Sequence, residues 1–273
     1  MADLSFGPKH VPAEKIRFDV PHRGRIWSYW LGGKDHYPVD RAAGEAVAEI
    51  YPDIRRIALE SRRFLERVVR YATVEAGIRQ FLDLGNGLPA TSNTHDVAQR
   101  FAPDARIAYV DGDPLVQAHQ RALLVNTTPR GMTAYVDAEY FEPDLIISGA
   151  REVLDFDRPI LAMFMGVLGY VADFADQRAI VSRVMEAAAP GSYAVLWGVT
   201  NTSEAARRGE ELLAQTGALR YHLRSPEQLA SCFDGMRMLE PGMVPLTQWR
   251  PDLAEAGLEP APMDAYGALA LKP

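Results

Sequence analysis

The spacing of apolar residues changes after Gly77, and this change constrains the fold more than any other feature of the sequence. From Arg23 to about Ala76, apolar residues recur every three or four positions, with arginines on the opposite face of the longest stretch. After Gly77, short β-like runs alternate with helical stretches. Strands separated by helices form a parallel sheet with right-handed crossovers. The sequence therefore predicts an α/β fold that follows a helical segment.

The β-like runs are IRQFLDL, ARIAYVD, GMTAYVD, RPILAMFM and GSYAVLWG, and the intervening helical stretches include 93–101, 114–125, 174–189 and 203–216. The tail, GMRMLEPGMVPLTQWRP and AYGALALKP, predicts a closing pair of strands, antiparallel at the sheet edge. Pro38 and Pro52 fit helix starts, and Gly77 fits a helix end. We expect an extended arm over 1–22 and two segments, an arm with a helical lid over 1–76 and a ligand-binding α/β domain over 77–273.

Composition excludes several classes of protein. The 273 residues are 48% hydrophobic and 24% charged, which is enough to bury one sizeable core. A formal net charge of -7 argues against a broad nucleic-acid-binding face. The single cysteine, Cys232, excludes an internal disulfide, and the spacing of the histidines makes a metal site unexpected. Without a signal peptide or a long apolar run, we expect a cytoplasmic protein with no membrane segment.

The stretch FLDLGNGLPATSNT, residues 81–94, reads as a strand that ends in an acid and turns through two glycines into a helix. In open α/β sheets the first such turn contacts the ligand. Residues 85–90 match the dinucleotide pattern G-x-G-x-x-G/A, which keeps a nicotinamide-dependent oxidoreductase open as an interpretation. Asp83 opposes a pyrophosphate at this position and favours a ligand with an ammonium or sulfonium group.

Two further strands also end in acids. Asp111 lies 24 residues after Gly87 and can accept hydrogen bonds from two ribose hydroxyls. Asp137 could accept from an adenine amino group, while the backbone N–H of Ala138 faces a ring nitrogen. Asp113, directly before Pro114, reads better as a helix N-cap. A nucleoside with a cationic, phosphate-free tail suits these acids, and S-adenosylmethionine is such a nucleoside.

Seven segments then carry a resemblance that covers nearly the whole chain. They are YWLGGKDHYPVDR, RQFLDLGNGLPATSNTHDVAQ, YVDGDPLVQAH, TAYVDAEYFEP, LDFDRPI, APGSYAVL and FDGMRMLEPGMVPLTQWRPD. The sequence resembles the class I S-adenosylmethionine-dependent methyltransferases, and within them an actinobacterial S-adenosyl methyltransferase family formerly described as a domain of unknown function. The resemblance implies a Rossmann-like, mostly parallel seven-stranded sheet with helices on both faces, plus an N-terminal helical lid.

The resemblance also implies roles for individual residues. The methionine end of the cofactor is bordered by Asp83, Gly85, Asn86 and Gly87, the ribose by Asp111 and Gly112, the adenine by Asp137 and Ala138, and the sulfonium by Met165 and Gly166. From the intact GGKD motif, Lys34 and Asp35 line the site, and Arg62 pairs with the methionine carboxylate.

No catalytic residue is assigned, and the candidates are Tyr29, His36 and Tyr170. Gly169 and Gly198 stand where histidines are common in the family, which puts base chemistry there in doubt, while Tyr170 and Trp197 add aromatic walls.

Three functions stay open at this point. The first is methyl transfer from S-adenosylmethionine to an oxygen, nitrogen or carbon atom of a small molecule, in secondary or specialised metabolism, with S-adenosylhomocysteine as product. The second is a protein that binds S-adenosylmethionine without transferring its methyl group. The third is the oxidoreductase. The expected partner is a small-molecule substrate rather than nucleic acid or a membrane.

Overall fold

A computed structural model describes residues 17–123, 125–251 and 263–273. The helices are α1 (Arg23–Trp30), α2 (Pro38–Ile50), α3 (Asp53–Val74), α4 (Thr94–Phe101), α5 (Pro114–Leu123), α6 (Pro143–Ala150), α7 (Phe174–Ala187), α8 (Glu204–Gln215) and α9 (Pro226–Ser231). The strands are β1 (Gln80–Leu84), β2 (Arg106–Val110), β3 (Met132–Val136), β4 (Leu161–Met165), β5 (Tyr193–Val199), β6 (Arg237–Met238), β7 (Val244–Pro245) and β8 (Ala265–Leu271).

One sheet organises these strands in the order β3-β2-β1-β4-β5-β8-β6, with β7 also paired to β8. Strands β1 to β5 pair in parallel. Strand β8 runs antiparallel to β5, β6 and β7, as the tail pattern predicts. The described part of the sheet has eight strands rather than the seven expected, because β6 and β7 are two-residue strands that pair with different parts of β8.

Helices cover both faces of the sheet, as predicted. On one face, helices α1 to α4 and α8 pack with Phe81, Ile107 and Met163 into a single hydrophobic core. On the other face, α6 and α7 pack against Leu82, Phe164 and neighbouring strand residues. The helices before residue 76 therefore share a core with the strands that follow. Most of the predicted arm, residues 1–16, lies outside the described residues.

Local sequence explains where the N-terminal helices begin and end. Helix α2 begins at Pro38, and the Asp40 carboxylate accepts a 2.8 Å hydrogen bond from the Tyr37 backbone N–H. Helix α3 begins directly after Pro52. Gly77, three residues after α3, has φ of 71°, a conformation that ordinary side chains disfavour. The predicted starts and stop are confirmed.

The loop PGMVPLTQWRP packs beneath α3. Trp249 is fully buried there, with its ring 5.5 Å from that of Phe64 in an edge-to-face arrangement. The buried Arg67 guanidinium donates to the backbone carbonyls of Leu246 at 2.6 Å and Trp249 at 3.0 Å. This loop therefore holds α3 in place through packing and hydrogen bonds, and it does not line a ligand cavity. Across the described ranges, the helices are too short or too polar to cross a membrane.

Candidate active site

A cavity of about 670 Å³ lies where β1, β2, β4 and β5 end, within the range of about 300–1,000 Å³ typical of small-molecule sites. Parallel pairing brings the carboxyl ends of these strands to one edge; for example, Asp83 lies opposite Tyr109 of β2 and Met163 of β4. Helices α1, α3 and α8 supply further parts of the lining. In the described ranges no group of three His, Cys, Asp or Glu residues is arranged to hold a metal ion.

The turn after β1 requires both of its glycines. Gly85 has φ of 63° and Gly87 has φ of 67°, in the left-handed region that favours glycine. A Cβ at Gly85 would overlap the Val167 side chain, whereas the space beside Gly87 is open. The Gly87 N–H donates a 3.1 Å hydrogen bond to Asp111 Oδ2. The turn after β1 is thereby tied to the end of β2.

Asp83 is buried at the tip of β1, and its two oxygens differ. Oδ2 accepts a 2.6 Å hydrogen bond from the Thr94 hydroxyl, whereas Oδ1 has no partner among the described residues. Burial raises the pKa of Asp83 to about 6, although the Thr94 bond and the nearby Arg62 charge act in the opposite direction. An oxygen that is buried and unpaired beside a cavity is suited to accept from a ligand.

Arg62 lies on α3 and lines the same cavity. One of its terminal nitrogens donates a 2.6 Å hydrogen bond to the Ser92 carbonyl, which holds the guanidinium in place. Its Nε is buried without a partner among the described residues. Burial lowers the pKa of Arg62, with Asp83 acting against that effect. One end of the cavity therefore has two buried polar atoms without a partner among the described residues: a carboxylate oxygen of Asp83 and the guanidinium Nε of Arg62.

The two acids after β2 have different roles. Asp111 accepts from the backbone N–H groups of Gly87 at 3.1 Å and Asp113 at 2.9 Å. Burial raises the pKa of Asp111 to about 7 despite these bonds. Asp113 caps α5 as predicted, accepting from the N–H groups of Leu115 and Val116 at 2.7 and 3.0 Å. Asp111 and Gly112 both line the cavity.

The structure does not bring Asp137 and Ala138 to the described cavity lining. The Asp137 side chain accepts a 2.5 Å hydrogen bond from Gln117 Nε2 of α5, and Ala138 is buried in the core on the opposite side. The next acid, Glu139, lines the cavity instead, and a Cβ at Gly112 would overlap its carboxylate. Burial raises the pKa of Glu139, with the neighbouring acids Glu142, Asp113 and Asp137 adding to the effect.

Four predicted residues of the N-terminal segment also lie outside the described lining: Tyr29, Lys34, Asp35 and His36. Helix α1 ends at Trp30, so the following turn carries 34–36 away from the cavity. The Tyr29 hydroxyl donates to Glu45 at 2.9 Å on α2, and Asp35 lies 3.6 Å from His119 of α5. Gly32 and Gly33 are the part of the GGKD motif that lines the cavity.

The end of β4 contributes Met165, Gly166 and Tyr170 to the lining. Burial raises the pKa of Tyr170 to about 12, which favours the protonated hydroxyl near neutral pH. A Cβ at Gly169 would overlap the Tyr221 ring, and one at Gly198 would lie 3.3 Å from the Tyr221 hydroxyl. Tyr221 therefore fills the space beside both glycines.

The start of helix α1 is attached to two separate parts of the cavity lining by consecutive residues. His22 Nε2 lies 2.9 Å from Asp113 Oδ2 on the β2 side. Arg23 donates to both carboxylate oxygens of Glu210 on α8, at 2.6 and 3.0 Å. One turn later, the Trp27 ring lies 5.7 Å from that of Trp197 on β5. The segment predicted as the N-terminal lid thus contributes to the cavity lining.

Sequence reasoning missed several lining residues. They are His22, Arg23, Glu139, Tyr140, Phe141, Glu210, Leu219 and Tyr221. A signal was available for Glu139, which stands in the same VDAEYF run as Asp137. None was available for the pairing of Arg23 with Glu210, because 187 residues separate them and neither stands in a recognisable motif.

Comparisons with known proteins agree with this geometry. The sequence profile of the S-adenosyl methyltransferase family matches residues 9–273. A DUF574 family protein from Streptomyces avermitilis is 35% identical, with a TM-score of 0.88 over 94% of this chain and 99% of that one. A presumed methyltransferase from Thermobifida fusca is also 35% identical, with a TM-score of 0.84 over 93% of this chain and 96% of that one.

A more distant structure, the mitomycin 7-O-methyltransferase MmcR, shares the fold at 15% identity and a TM-score of 0.52, over 86% of this chain and 69% of that one. No curated protein matches this chain. The profile match over nearly the whole length agrees with the open, mostly parallel sheet and its strand-end cavity. The chain belongs to the S-adenosyl methyltransferase family, and its cofactor is S-adenosylmethionine.

Proposed function

We propose that this protein transfers the methyl group of S-adenosylmethionine to a small-molecule acceptor at the strand-end cavity. The observation that carries the proposal is the pair of buried, unpartnered atoms in one wall, Asp83 Oδ1 and Arg62 Nε. When bound, S-adenosylmethionine supplies an activated methyl group, which passes to an acceptor atom with a lone pair while the bonding electrons stay on sulfur.

The unpartnered atoms match the two charges at the methionine end of the cofactor. Asp83 Oδ1 can accept from the ammonium group, and the Arg62 guanidinium can donate to the carboxylate. Leaving buried polar atoms unsatisfied costs about 1–3 kcal/mol each, so a ligand that pairs both gains that amount on binding. Gly85 and Gly87 have positive φ and no side chains, so the turn after β1 leaves room for this end of the ligand.

The adenosine end fits the wall beside Asp111. Each Asp111 oxygen already accepts one backbone N–H and retains lone-pair capacity for a ribose hydroxyl. We place the adenine beside Gly112 and Glu139, because both line the cavity next to Asp111 whereas Asp137 does not. Met165 and Gly166, at the end of β4, border the space between the two ends. The transfer depends mainly on alignment and exclusion of water, which the α1 lid provides.

The test is a comparison of two ligands that differ only at the methionine end. S-Adenosylhomocysteine carries the ammonium and carboxylate, and methylthioadenosine lacks both. Arg62→Met should weaken S-adenosylhomocysteine by about 10–100-fold, since charged hydrogen bonds contribute about 1.5–3 kcal/mol, and should leave methylthioadenosine nearly unchanged. Isothermal titration calorimetry measures both affinities.

Arg55→Met is the matched control, because Arg55 is an exposed arginine of α3 outside the described cavity lining. It should change neither affinity. If Arg62→Met weakened both ligands equally, the guanidinium would not contact the methionine end and the assignment would be wrong. A titration with NADH in parallel addresses the oxidoreductase interpretation, and tight NADH binding without S-adenosylhomocysteine binding would contradict the proposed function.

A further inference from the structure

Four aromatic rings form a continuous row along the cavity, from the loop after β3 to the segment after α8. The ring centroids lie 5.3 Å apart from Phe141 to Tyr140, 6.4 Å from Tyr140 to Tyr170 and 5.1 Å from Tyr170 to Tyr221. All four residues line the cavity. We call these four residues the aromatic row.

The row ends at an apolar rim. Phe141 is 55% exposed and Leu219 is 58% exposed, and both line the cavity. The cavity lining also includes apolar residues of β5, α8 and the following segment, which are Val199, Ala206, Leu213 and Leu223. Exposed apolar side chains at the edge of a concave site are suited to contact an apolar ligand.

Charge at this end is neutralised by the protein itself. The Arg23 guanidinium, 5.9 Å from the centre of the Tyr170 ring, is paired with both oxygens of Glu210. The Tyr221 backbone N–H donates a further 2.7 Å hydrogen bond to Glu210. The described lining beside the aromatic row therefore has no unpaired cation for an anionic acceptor, and the acids Asp83, Asp111 and Glu139 disfavour a second anion in the cavity.

A cationic acceptor is disfavoured for a different reason. It would have to lie beside the positively charged sulfonium of the cofactor, and like charges at contact distance repel. Aromatic residues pair with other rings in stacked or edge-to-face arrangements worth about 0.5–1.5 kcal/mol beyond simple burial. Several such contacts are available along the row.

We propose that the methyl acceptor is an uncharged, planar aromatic molecule of at least two fused rings, bound along the aromatic row with its far edge between Phe141 and Leu219. The inference rests on the proposed function, because it names the acceptor class for that same cavity. The row sets specificity, and the Arg23–Glu210 pair supports it by keeping that wall neutral.

The probes are quinoline and acridine in their neutral forms, with N-methylquinolinium and N-methylacridinium as cations of nearly the same shape. Each is titrated by calorimetry in mildly alkaline buffer into the full-length protein saturated with sinefungin, an analogue in which an ammonium group replaces the methylsulfonium and keeps its positive charge. We expect at least one neutral probe to bind, and to bind at least about tenfold more tightly than its N-methyl cation.

Two variants locate the bound probe. Phe141→Ser removes an exposed ring at the rim and should weaken the neutral probe by at least about fivefold, with the affinity for S-adenosylhomocysteine unchanged. Phe101→Ser is the matched control, since Phe101 is 44% exposed on α4 and lies outside the described lining. It should change neither affinity.

The outcomes separate this inference from the proposed function. If S-adenosylhomocysteine binds but the neutral probes do not, or bind no better than the cations, the acceptor class is wrong while the cofactor site stands. Equal effects of the Phe141 and Phe101 variants would also overturn it. If S-adenosylhomocysteine fails to bind, the proposed function is wrong, and with it the assignment of the row to a methyl acceptor.

Discussion

The two ends of the cavity are built in different ways. At the cofactor end, the polar groups other than Arg62 of α3 come from strand ends and from one glycine turn, and the acids lie next to the strands that position them. At the aromatic row, rings from the loop after β3, the end of β4 and the segment after α8 meet although they are far apart in sequence. One end is specified by local motifs, and the other is specified by tertiary packing.

This difference affects how each end tolerates substitution. The cofactor end depends on backbone conformation and buried charge, so we expect a substitution of even one atom there to weaken ligand binding. The aromatic row depends on shape and apolar contact, which vary more gradually with side-chain size. We therefore expect the cofactor end to be uniform among relatives and the row to determine which acceptor is used.

The largest expected effect comes from adding one methyl group at each end. Gly85→Ala combines a left-handed φ with overlap on Val167, and should lower the free energy of unfolding by about 2–5 kcal/mol. Gly169→Ala meets the Tyr221 ring without the φ strain and should lower it by about 1–3 kcal/mol. Urea unfolding of the ligand-free protein measures both.

Gly87→Ala is the control for this pair, because its φ is positive but the space beside it is open. It should lower the free energy of unfolding by about 1–2 kcal/mol. Equal effects of Gly85→Ala and Gly87→Ala would mean that contact with Val167 contributes nothing, and the proposed distinction between strain and overlap would not hold.

A smaller effect distinguishes the two acids after β2 and β3. Asp111→Asn should weaken S-adenosylhomocysteine by about 10–100-fold, because a neutral amide accepts hydrogen bonds from the ribose less strongly and offers one oxygen fewer. Asp137→Asn should change the affinity by less than about threefold, because Asp137 contacts Gln117 rather than the cavity. Calorimetry on the two purified variants makes the comparison.

If Asp137→Asn lost more affinity for S-adenosylhomocysteine than Asp111→Asn did, Asp137 would be assigned to the adenine again and Asp111 would no longer be assigned to the ribose. Circular dichroism checks that each variant is folded, since Asp111 also holds the backbone N–H groups of Gly87 and Asp113.

The smallest effect expected on ligand affinity is a pH dependence at the cofactor end. Asp83 and Asp111 have pKa values of about 6 and about 7 in the folded protein, above the ordinary aspartate value of 3.8. The folded state therefore holds these protons more tightly than the unfolded state does. The stability that protonation contributes is present at low pH and is lost as pH rises through the folded pKa values, between about 4 and 7.

Cofactor binding should show the reverse trend over the same range. The ammonium group favours the ionised carboxylate, so affinity for S-adenosylhomocysteine should rise several-fold between pH of about 5.5 and about 8. Asp83→Asn should flatten this rise, whereas binding of a neutral aromatic probe should show no such dependence on Asp83. An unchanged slope in Asp83→Asn would locate the titrating group elsewhere.

Much of the fold was predictable because it depends on local periodicity. The alternation of strands and helices, the starts of α2 and α3, the antiparallel tail and the N-cap role of Asp113 all follow from patterns within about 20 residues. The eighth strand was not predictable from the sequence, because β6 and β7 are each two residues long and form only through pairing with β8. Strands that short carry no periodicity of their own.

At the site, the sequence predicts the residues that stand in a turn or at a strand end. Asp83, Gly85 and Asp111 line the cavity for that reason. Lys34 and Asp35 lie outside the described lining, because the direction of the chain after α1 depends on how that helix packs. Glu210 and Tyr221 reach the cavity through the packing of α8 and the segment after it, which no local pattern encodes.

The attachment of α1 to both walls has a consequence for the rate of turnover. His22 is paired with Asp113 and Arg23 with Glu210, so the start of α1 moves away from the cavity only if both ion pairs break together. We expect the spent cofactor and the methylated product to leave during one shared opening event. The frequency of that event sets an upper limit on kcat, whatever the speed of the chemical step.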